Sequence, residues 1–245
     1  MTTAQTRHTT HGDQVRDHLS RVEQHNAAAL DAAADLLFTA VRHGGLVHTG
    51  GAGHSLAAVA ETFYRAGGLA CVRPLYHPEL LPLHGAAAST AAERRTGLAA
   101  QVLDTAGLGE HDVLVVFSTS GVNPYPVELA TLARQAGRPV IAVTSPAVTA
   151  AAPRRAHSTL AEQADIVLDT LVVPGDASYP ADRPVTAPLS TLANVLLWNL
   201  LLVRLTDRAA AEGVELPLWR SSNMPDGDRT NEDLAQHYRR RVPQL

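Results

Sequence analysis

The fold of this chain is decided by the stretch Val113-Leu114-Val115-Val116-Phe117-Ser118-Thr119-Ser120-Gly121-Val122-Asn123. Its five consecutive apolar residues predict a strand that is buried on both faces, and a helical pattern follows the polar loop. Between a strand's carboxyl end and a helix's first turn, free backbone N–H groups and the helix dipole attract an anion. The stretch therefore predicts an anion-binding loop.

A second loop of the same kind lies earlier in the chain. The segment Thr49-Gly50-Gly51-Ala52-Gly53-His54-Ser55 follows the short run Leu46-Val47-His48 and precedes another helical pattern. Taken alone, either loop is explained as an ordinary turn and helix cap. Two loops in matching positions favour the two halves of one phosphate-binding pocket.

The rest of the chain alternates helical and strand-like segments. One long amphipathic helix is predicted from Asp13 to Val41, and residues 1–12 are expected to be disordered. Further helices are predicted at residues 56–66, 93–103, 126–135 and 189–208, and strands at 46–49, 69–72, 113–117, 140–143 and 166–168. Prolines make residues 73–91 an expected irregular loop, and the tail after Gly213 is polar. This alternation predicts an α/β fold with a parallel sheet covered on both faces.

Composition narrows the class of protein. The 245 residues are 45% hydrophobic, which predicts one domain over residues 13–245. A net charge of −4 gives no basic excess, so nucleic acid is not an expected partner. Cys71 has no second cysteine to pair with, no secretion signal is evident, and the most apolar stretch, 189–203, is too short to span a membrane. We expect a cytoplasmic protein with no membrane partner.

The absence of lysine excludes several chemistries. All 20 basic residues are arginine, which rules out Schiff-base chemistry, pyridoxal phosphate attachment and a Walker-type nucleotide site. The first loop begins like a dinucleotide fingerprint, but Leu56 stands where the third glycine is needed. We therefore predict no cofactor. A small anion such as a sugar phosphate remains, with carboxylates and imidazoles as the reactive groups.

The order of the two loops resembles the sugar isomerase (SIS) domain family, whose phosphosugar pocket uses such loops. The similarity extends over residues 13–245, because three other segments resemble a single-domain branch that includes N-acetylglucosamine-6-phosphate dehydratases. Those segments are Phe63 to Gly68, Pro174 to Ala177 and Ser222 to Asn231. The resemblance implies a three-layer α-β-α sandwich around a five-stranded, flavodoxin-like parallel sheet, and a homodimer with shared active sites.

The resemblance also implies roles for residues of both loops. Ser55, Ser118, Ser120 and Asn123 match phosphate-binding positions, and Thr119 assists with its backbone N–H. No arginine or lysine lies in either loop, so neutral donors and helix ends are expected to hold the phosphate dianion. The candidates for contacting the sugar are Gly51, Gly53, His54, Asp176 and Asn223. Asp176 is equally explained as a turn residue, and Asn223 as part of a solvated tail.

Three side chains are candidates for the chemistry. Glu61 lies six residues after Ser55 on the helix that leaves the first loop, and the resemblance favours it as a base. His77 and His84 lie in the proline-rich loop, where either imidazole is a candidate acid or ring-opening catalyst. Glu79 lies between them, but two histidines and a carboxylate without helical register are weak evidence for zinc, so no metal is predicted.

These residues suggest a hypothesis for the reaction. Glu61 removes the carbon 2 proton of open-chain N-acetylglucosamine 6-phosphate, and the carbon 3 hydroxyl is lost as water. Three alternatives stay open: an aldose–ketose isomerase of a phosphosugar such as a heptose phosphate, an etherase similar to the N-acetylmuramic acid 6-phosphate enzyme, and a non-catalytic phosphosugar sensor. No helix-turn-helix module is evident ahead of the loops, which counts against the sensor.

Overall fold

The architecture is an α/β sandwich built on one parallel sheet. A computed structural model describes residues 10–245. The sheet has five strands in the order β2-β1-β3-β4-β5. The strands are β1 (Val47–Gly51), β2 (Val72–Leu75), β3 (Val113–Phe117), β4 (Val140–Thr144) and β5 (Ile166–Asp169). This confirms the predicted fold class.

Two groups of helices cover the sheet. The helices are α1 (His11–His25), α2 (Ala27–Arg42), α3 (Leu56–Thr62), α4 (Ala86–Glu93), α5 (Leu98–Ala106), α6 (Pro124–Gln135), α7 (Pro146–Ala151), α8 (Leu160–Gln163), α9 (Ser190–Ala211) and α10 (Gly227–Tyr238). Helix α9 packs against α1, α2 and α3, whereas α6 packs against α4, α5 and α8. Within residues 10–245, every helix is too short or too polar to cross a membrane.

The core explains why β3 and β4 read as nearly continuous apolar runs. All residues of β1, β3 and β4 are buried because helices cover both faces of the sheet. The long helix α9 contributes Leu197, Trp198 and Leu201 to the same core. The sequence predicted that the apolar helix at 189–208 is buried either in the core or at a subunit interface. The structure shows that one face of α9 packs into the core.

The predicted N-terminal helix is interrupted at Asn26. This buried side chain donates hydrogen bonds to the carbonyls of Val22 (2.7 Å) and Asp169 (2.8 Å), and accepts one from the Asp169 N–H (2.7 Å). The pattern of apolar residues continues across the break, so periodicity alone did not reveal it. Thr10 caps α1 through a capping box with Asp13, so helical order begins ahead of residue 13, while residues 1–9 lie outside the described part of the chain.

Replacing Asn26 with alanine is expected to lower the free energy of unfolding by about 2 kcal/mol, because the backbone groups of Asp169 lose their partner. Urea denaturation measures the change. Asn199→Ala is the matched control, since exposed Asn199 has, among residues 10–245, a side-chain bond only to the Val195 carbonyl of its own helix. Equal stability losses in the two variants would show that Asn26 does not fix α1 and α2 to β5.

The expected irregular loop at residues 73–91 is only partly irregular. β2 runs through Pro74, which an edge strand tolerates because it pairs on one side only. The predicted strand at 69–72 therefore lies too early, and Leu69 instead forms an antiparallel bridge with Leu218. Short 3-10 turns follow at Pro78–Leu80 and Pro82–His84.

Two helical predictions also change. The helix predicted at 93–103 is replaced by α4 and α5, which are separated by Gly97 with a φ of 83°. The polar tail contains α10, which the sequence analysis missed. The Asn231 side chain on this helix bonds to the backbone N–H (2.9 Å) and carbonyl (2.8 Å) of Arg220. Tertiary hydrogen bonds of this kind stabilise a helix whose composition is mostly polar.

One buried carboxylate organises the amino ends of β1 and β3. Asp112 accepts hydrogen bonds from the N–H groups of Leu46 (2.7 Å) and Gly109 (2.8 Å), from His48 Nε2 (2.8 Å) and from the Arg241 guanidinium (2.7 Å). Burial alone opposes the charged form, but the bonds from His48, Leu46 and Gly109 outweigh it and hold the pKa of Asp112 well below its ordinary value. This network lies at the sheet edge opposite the two loops.

Candidate active site

The two polar loops lie side by side because their strands are neighbours. β1 and β3 pair in parallel, with Gly51 opposite Phe117, so both strands end at the same edge of the sheet. The helix after β1, α3, belongs to one covering layer and the helix after β3, α6, to the other. The strand order of the sheet therefore reverses between β1 and β3. Such a switch point is where ligands bind in open α/β sheets.

The first loop approaches the second closely at Gly51. A β-carbon on Gly51 would lie 3.1 Å from the Phe117 carbonyl oxygen and 3.1 Å from the Ser55 β-carbon. Only glycine fits such an approach without moving backbone. Ser55 does not cap α3 with its side chain, and no bond of its hydroxyl occurs within residues 10–245. That hydroxyl is therefore available to a ligand, and His54 beside it is exposed.

The second loop has one inward hydroxyl and two outward ones. Ser118 is buried, and its Oγ accepts a hydrogen bond from the Gly121 N–H at 3.2 Å. Thr119 and Ser120 are partly exposed, and in the described chain their hydroxyls have no partner. Ser118 thus shapes the loop, while Thr119 and Ser120 present free donors.

The backbone of the second loop is held from behind. The carbonyls of Thr119, Ser120 and Gly121 accept hydrogen bonds from the Ser145 N–H (3.1 Å), the Thr149 hydroxyl (2.7 Å) and the Leu160 N–H (2.8 Å). The N–H groups of Thr119, Ser120, Val122 and Asn123 donate to no acceptor among residues 10–245. Backbone N–H groups that are left unpaired in a loop favour an anion as the ligand.

Gly121→Ala is expected to destabilise the protein by about 1–2 kcal/mol from backbone strain alone, since Gly121 has a φ of 59°. A β-carbon there would also lie 3.0 Å from Thr144 Oγ1 and 3.2 Å from Leu160 Cβ. Gly137 has a similar φ of 73° with open space around it, so Gly137→Ala measures the strain separately. Thermal denaturation should show the larger loss for Gly121→Ala, and equal losses would contradict the tight packing of this loop.

Glu61 lies on α3, one and a half turns beyond Ser55, or about 9 Å along the helix axis. Its carboxylate pairs with Arg65 one turn later, and its side chain is 24% exposed. The next residue, Thr62, faces inward and contacts the Thr49 hydroxyl at 3.0 Å. The helix ends at Thr62 rather than at residue 66. Glu61 is therefore held at the border of the core and is not turned fully into solvent.

The two candidate histidines have opposite hydrogen-bonding patterns. His77 Nδ1 accepts from the Glu79 N–H at 3.3 Å, so neutral His77 carries its proton on Nε2. His84 Nδ1 lies 3.1 Å from the Pro78 carbonyl and must donate to it, which leaves Nε2 as an acceptor. Helix α4, directly after this loop, contacts the 53–55 turn. Helix α4 thus contacts both the histidine loop and the first polar loop, while His77 itself lines a cleft with Gln101 and Gln244.

Glu79 is engaged elsewhere. Its carboxylate pairs with Arg95 at 2.7 Å. Across residues 10–245, no group of three His, Cys, Asp or Glu side chains is arranged to hold a metal ion.

The structure gives Asp176 a different role from the one expected. One carboxylate oxygen accepts from the N–H groups of Leu189 (3.0 Å) and Ser190 (3.1 Å), and the other from the Ser190 hydroxyl (2.6 Å). Both oxygens thereby cap the amino end of α9. Asn223 is exposed. Its neighbour Ser222 lines a cleft with Tyr64 rather than with either polar loop.

One candidate residue was missed by the sequence analysis. Arg155, in the connection between β4 and β5, places a guanidinium nitrogen 3.3 Å from the Asn123 side-chain oxygen. The expectation that only neutral donors surround the second loop is therefore incomplete. The signal was present in the adjacent pair Arg154-Arg155 after a strand's carboxyl end, but sequence distance concealed its proximity to the loop.

The fold and the loops define an α/β protein of flavodoxin-like strand order with two polar loops between β1 and β3, where that order reverses. The SIS domain family matches residues 10–145. The chain is 34% identical over 235 residues to a UPF0309 protein of Geobacillus kaustophilus (strain HTA426), covering 94% of each chain. It is 37% identical over 229 residues to a UPF0309 protein of Brucella canis (strain ATCC 23365 / NCTC 10854 / RM-666), covering 93% of this chain and 94% of the relative. The chain belongs to the SIS domain family.

Solved structures share the fold. Phosphoheptose isomerase GmhA from Neisseria gonorrhoeae superposes with a TM-score of 0.52 at 20% identity, covering 79% of this chain and 94% of that one. The sugar isomerase domain of the RpiR transcription factor from Sphaerobacter thermophilus superposes with a TM-score of 0.51 at 17% identity, covering 93% and 94%.

Proposed function

We propose that this protein is a phosphosugar lyase that dehydrates N-acetylglucosamine 6-phosphate. The observation that carries the proposal is the pairing of two hydroxyl-bearing loops at the switch point, with Glu61 on the helix that leaves the first loop. The likeness of the fold to phosphoheptose isomerase GmhA supports the proposal that the bound anion is a sugar phosphate.

The phosphate group is held by the second loop and by Ser55. The unpaired N–H groups of Thr119, Ser120, Val122 and Asn123 donate to the anion. The hydroxyls of Ser55, Ser118, Thr119 and Ser120 complete the contacts. The amino end of α6, which begins at Pro124, adds its dipole. Gly51 and Gly53 let the sugar approach the backbone of the first loop, beside His54.

The chemistry begins at carbon 2 of the open-chain sugar. Glu61 takes the carbon 2 proton, and the C–H electron pair forms the double bond between carbons 2 and 3 as the C3–O bond breaks. His77 donates a hydrogen bond from Nε2 to the carbon 3 hydroxyl, and this hydroxyl leaves as water after taking the proton that Glu61 removed. When the ring opens, His84 accepts the proton of the carbon 1 hydroxyl on its free Nε2, the bond between carbon 1 and the ring oxygen breaks, and His84 returns the proton to that oxygen. General acid–base groups of this kind each contribute about 10²–10⁴-fold to the rate.

The active unit in this proposal is a homodimer. The exposed side of α9 carries Leu192 and Val203, which are 46% and 56% exposed, and such apolar side chains suit a second subunit. Asn223 reaches the sugar of the partner's site in such a dimer. Light scattering after size-exclusion chromatography measures the mass, and a monomer at micromolar concentration would contradict shared sites.

The experiment that tests the activity is product analysis. Purified protein is incubated with N-acetylglucosamine 6-phosphate, and mass spectrometry and NMR should show loss of one water and a new alkene. N-acetylglucosamine without phosphate is the control substrate. An unchanged substrate would contradict the lyase.

A second candidate function uses the same base. If the C–H electron pair instead forms a double bond between carbons 1 and 2, and the resulting enolate is reprotonated at carbon 1, the protein is an aldose–ketose isomerase. The likeness to phosphoheptose isomerase favours this alternative. Isomerisation leaves the mass unchanged and converts an aldehyde to a ketone in NMR. Loss of a lactate ether from N-acetylmuramic acid 6-phosphate would identify an etherase. Binding without turnover would identify a sensor, as the RpiR domain suggests.

A further inference from the structure

Two adjacent arginines in the connection between β4 and β5 differ in their charge environment. Arg154 pairs with Glu162 at 2.8 Å. The carboxylate of Glu162 also accepts from the Ser158 hydroxyl and the Thr159 N–H. Arg155 has no carboxylate within ion-pair distance among residues 10–245. Its positive charge is therefore uncompensated within the described chain, while that of its neighbour is compensated.

The chain around Arg155 is fixed against the second polar loop on both sides. Before it, the Thr149 hydroxyl donates to the Ser120 carbonyl at 2.7 Å. After it, the Leu160 N–H donates to the Gly121 carbonyl at 2.8 Å. Between these two attachments, the Arg155 guanidinium bonds to Asn123, the last loop residue, at 3.3 Å. The cation is thus held beside the loop whose N–H groups are unpaired.

The guanidinium retains most of its hydrogen-bonding capacity. Arginine has five N–H donors, and the described contacts of Arg155 use one of them. A guanidinium matches the geometry of a phosphate with two parallel bonds, and bonds between charged partners are stronger than neutral ones. We propose that Arg155 contacts the phosphoryl group of the ligand directly and makes the site selective for a phosphate dianion over an uncharged sugar. This inference rests on the proposed phosphosugar function.

Calorimetric titration with N-acetylglucosamine 6-phosphate tests the inference. Arg155→Gln is expected to weaken binding by about 10- to 100-fold, the loss of bonds to a charged partner. Arg154→Gln, the control, should bind as the wild type does because its charge is already paired. Arg155→Lys should recover part of the affinity. Circular dichroism establishes that each variant is folded.

Two further measurements separate direct contact from positioning of Asn123. The second ionisation of a phosphate ester has a pKa of about 6, so wild-type affinity should rise between pH 5 and pH 7.5, and Arg155→Gln should flatten this rise. If Arg155 acts only through Asn123, the substitution will have no further effect in an Asn123→Ala background. We expect a further loss in that background, and its absence would overturn direct contact.

The outcomes of the titration are distinct. Equal binding by the wild type and Arg155→Gln overturns the inference and leaves the proposed function standing. Equal losses for Arg154→Gln and Arg155→Gln indicate a diffuse basic surface, which also overturns it. If the wild type binds no ligand in a panel of hexosamine and heptose phosphates, the proposed function fails, and the inference fails with it.

Discussion

Glu61→Gln is expected to abolish turnover of N-acetylglucosamine 6-phosphate while leaving its binding nearly unchanged. The amide has the size of the carboxylate but cannot accept the carbon 2 proton. Removing a general base lowers the rate by about 10²–10⁴-fold. Because the phosphate contacts lie on the two loops, the dissociation constant should change by less than about threefold, or about 0.7 kcal/mol.

The measurement is kcat from product formation, with the dissociation constant from titration. Glu110→Gln is the matched control, since Glu110 is exposed and lies next to the buried Asp112, ahead of β3. Glu61→Gln also leaves Arg65 unpaired, but a pair so open to solvent contributes little to stability. Full turnover by Glu61→Gln would remove Glu61 from the mechanism.

Asp112→Ala is expected to lower the free energy of unfolding by about 3–5 kcal/mol, the usual cost of removing one partner from a buried charged pair. The substitution leaves the N–H groups of Leu46 and Gly109 and the buried ring of His48 without their acceptor. Asp104→Ala removes an exposed carboxylate on α5 and serves as the control. Urea denaturation at neutral pH measures both variants, and equal stability would show that the network contributes nothing.

The stabilisation that Asp112 contributes to the folded protein depends on pH in a predictable direction. Because the pKa of Asp112 in the folded protein lies below its ordinary value of 3.8, the unfolded chain binds the proton first as the pH falls. The stabilisation is therefore complete above about pH 4 and declines as the pH falls toward the folded pKa. The stability difference between the wild type and Asp112→Ala should narrow below pH 4, and a constant difference would contradict this assignment.

Local sequence patterns were sufficient to predict the strands and loops whose residue types follow a simple pattern along the chain. The apolar runs of β3, β4 and β5 predicted strands within a few residues of their observed ends. For β3 and β4 the reason is that strands buried on both faces are continuously apolar. Glycines and hydroxyl-bearing residues at the ends of β1 and β3 predicted both loops, because the backbone geometry of a strand-to-helix turn constrains the residue types there.

Local sequence patterns gave wrong predictions where contacts between residues distant in the chain determine the structure. Asn26 interrupts the N-terminal helix because Asp169 bonds to it, and no period in residues 13–41 contains that information. Helix α10 is stabilised through contacts of Asn231 with Arg220. The expected sugar contact of Asp176 gives way to capping of α9, since a carboxylate satisfies whichever unpaired N–H groups the fold brings near it.

From the sequence by itself came the parallel sheet, the positions of the two polar loops and the absence of lysine. Each of these depends on residues adjacent in the chain or on simple counts. Only the tertiary structure decided that the loops meet between β1 and β3 and that Arg155 lies beside Asn123. The physical reason is that strand order and long-range hydrogen bonds set these distances, and both arise from packing of the whole core.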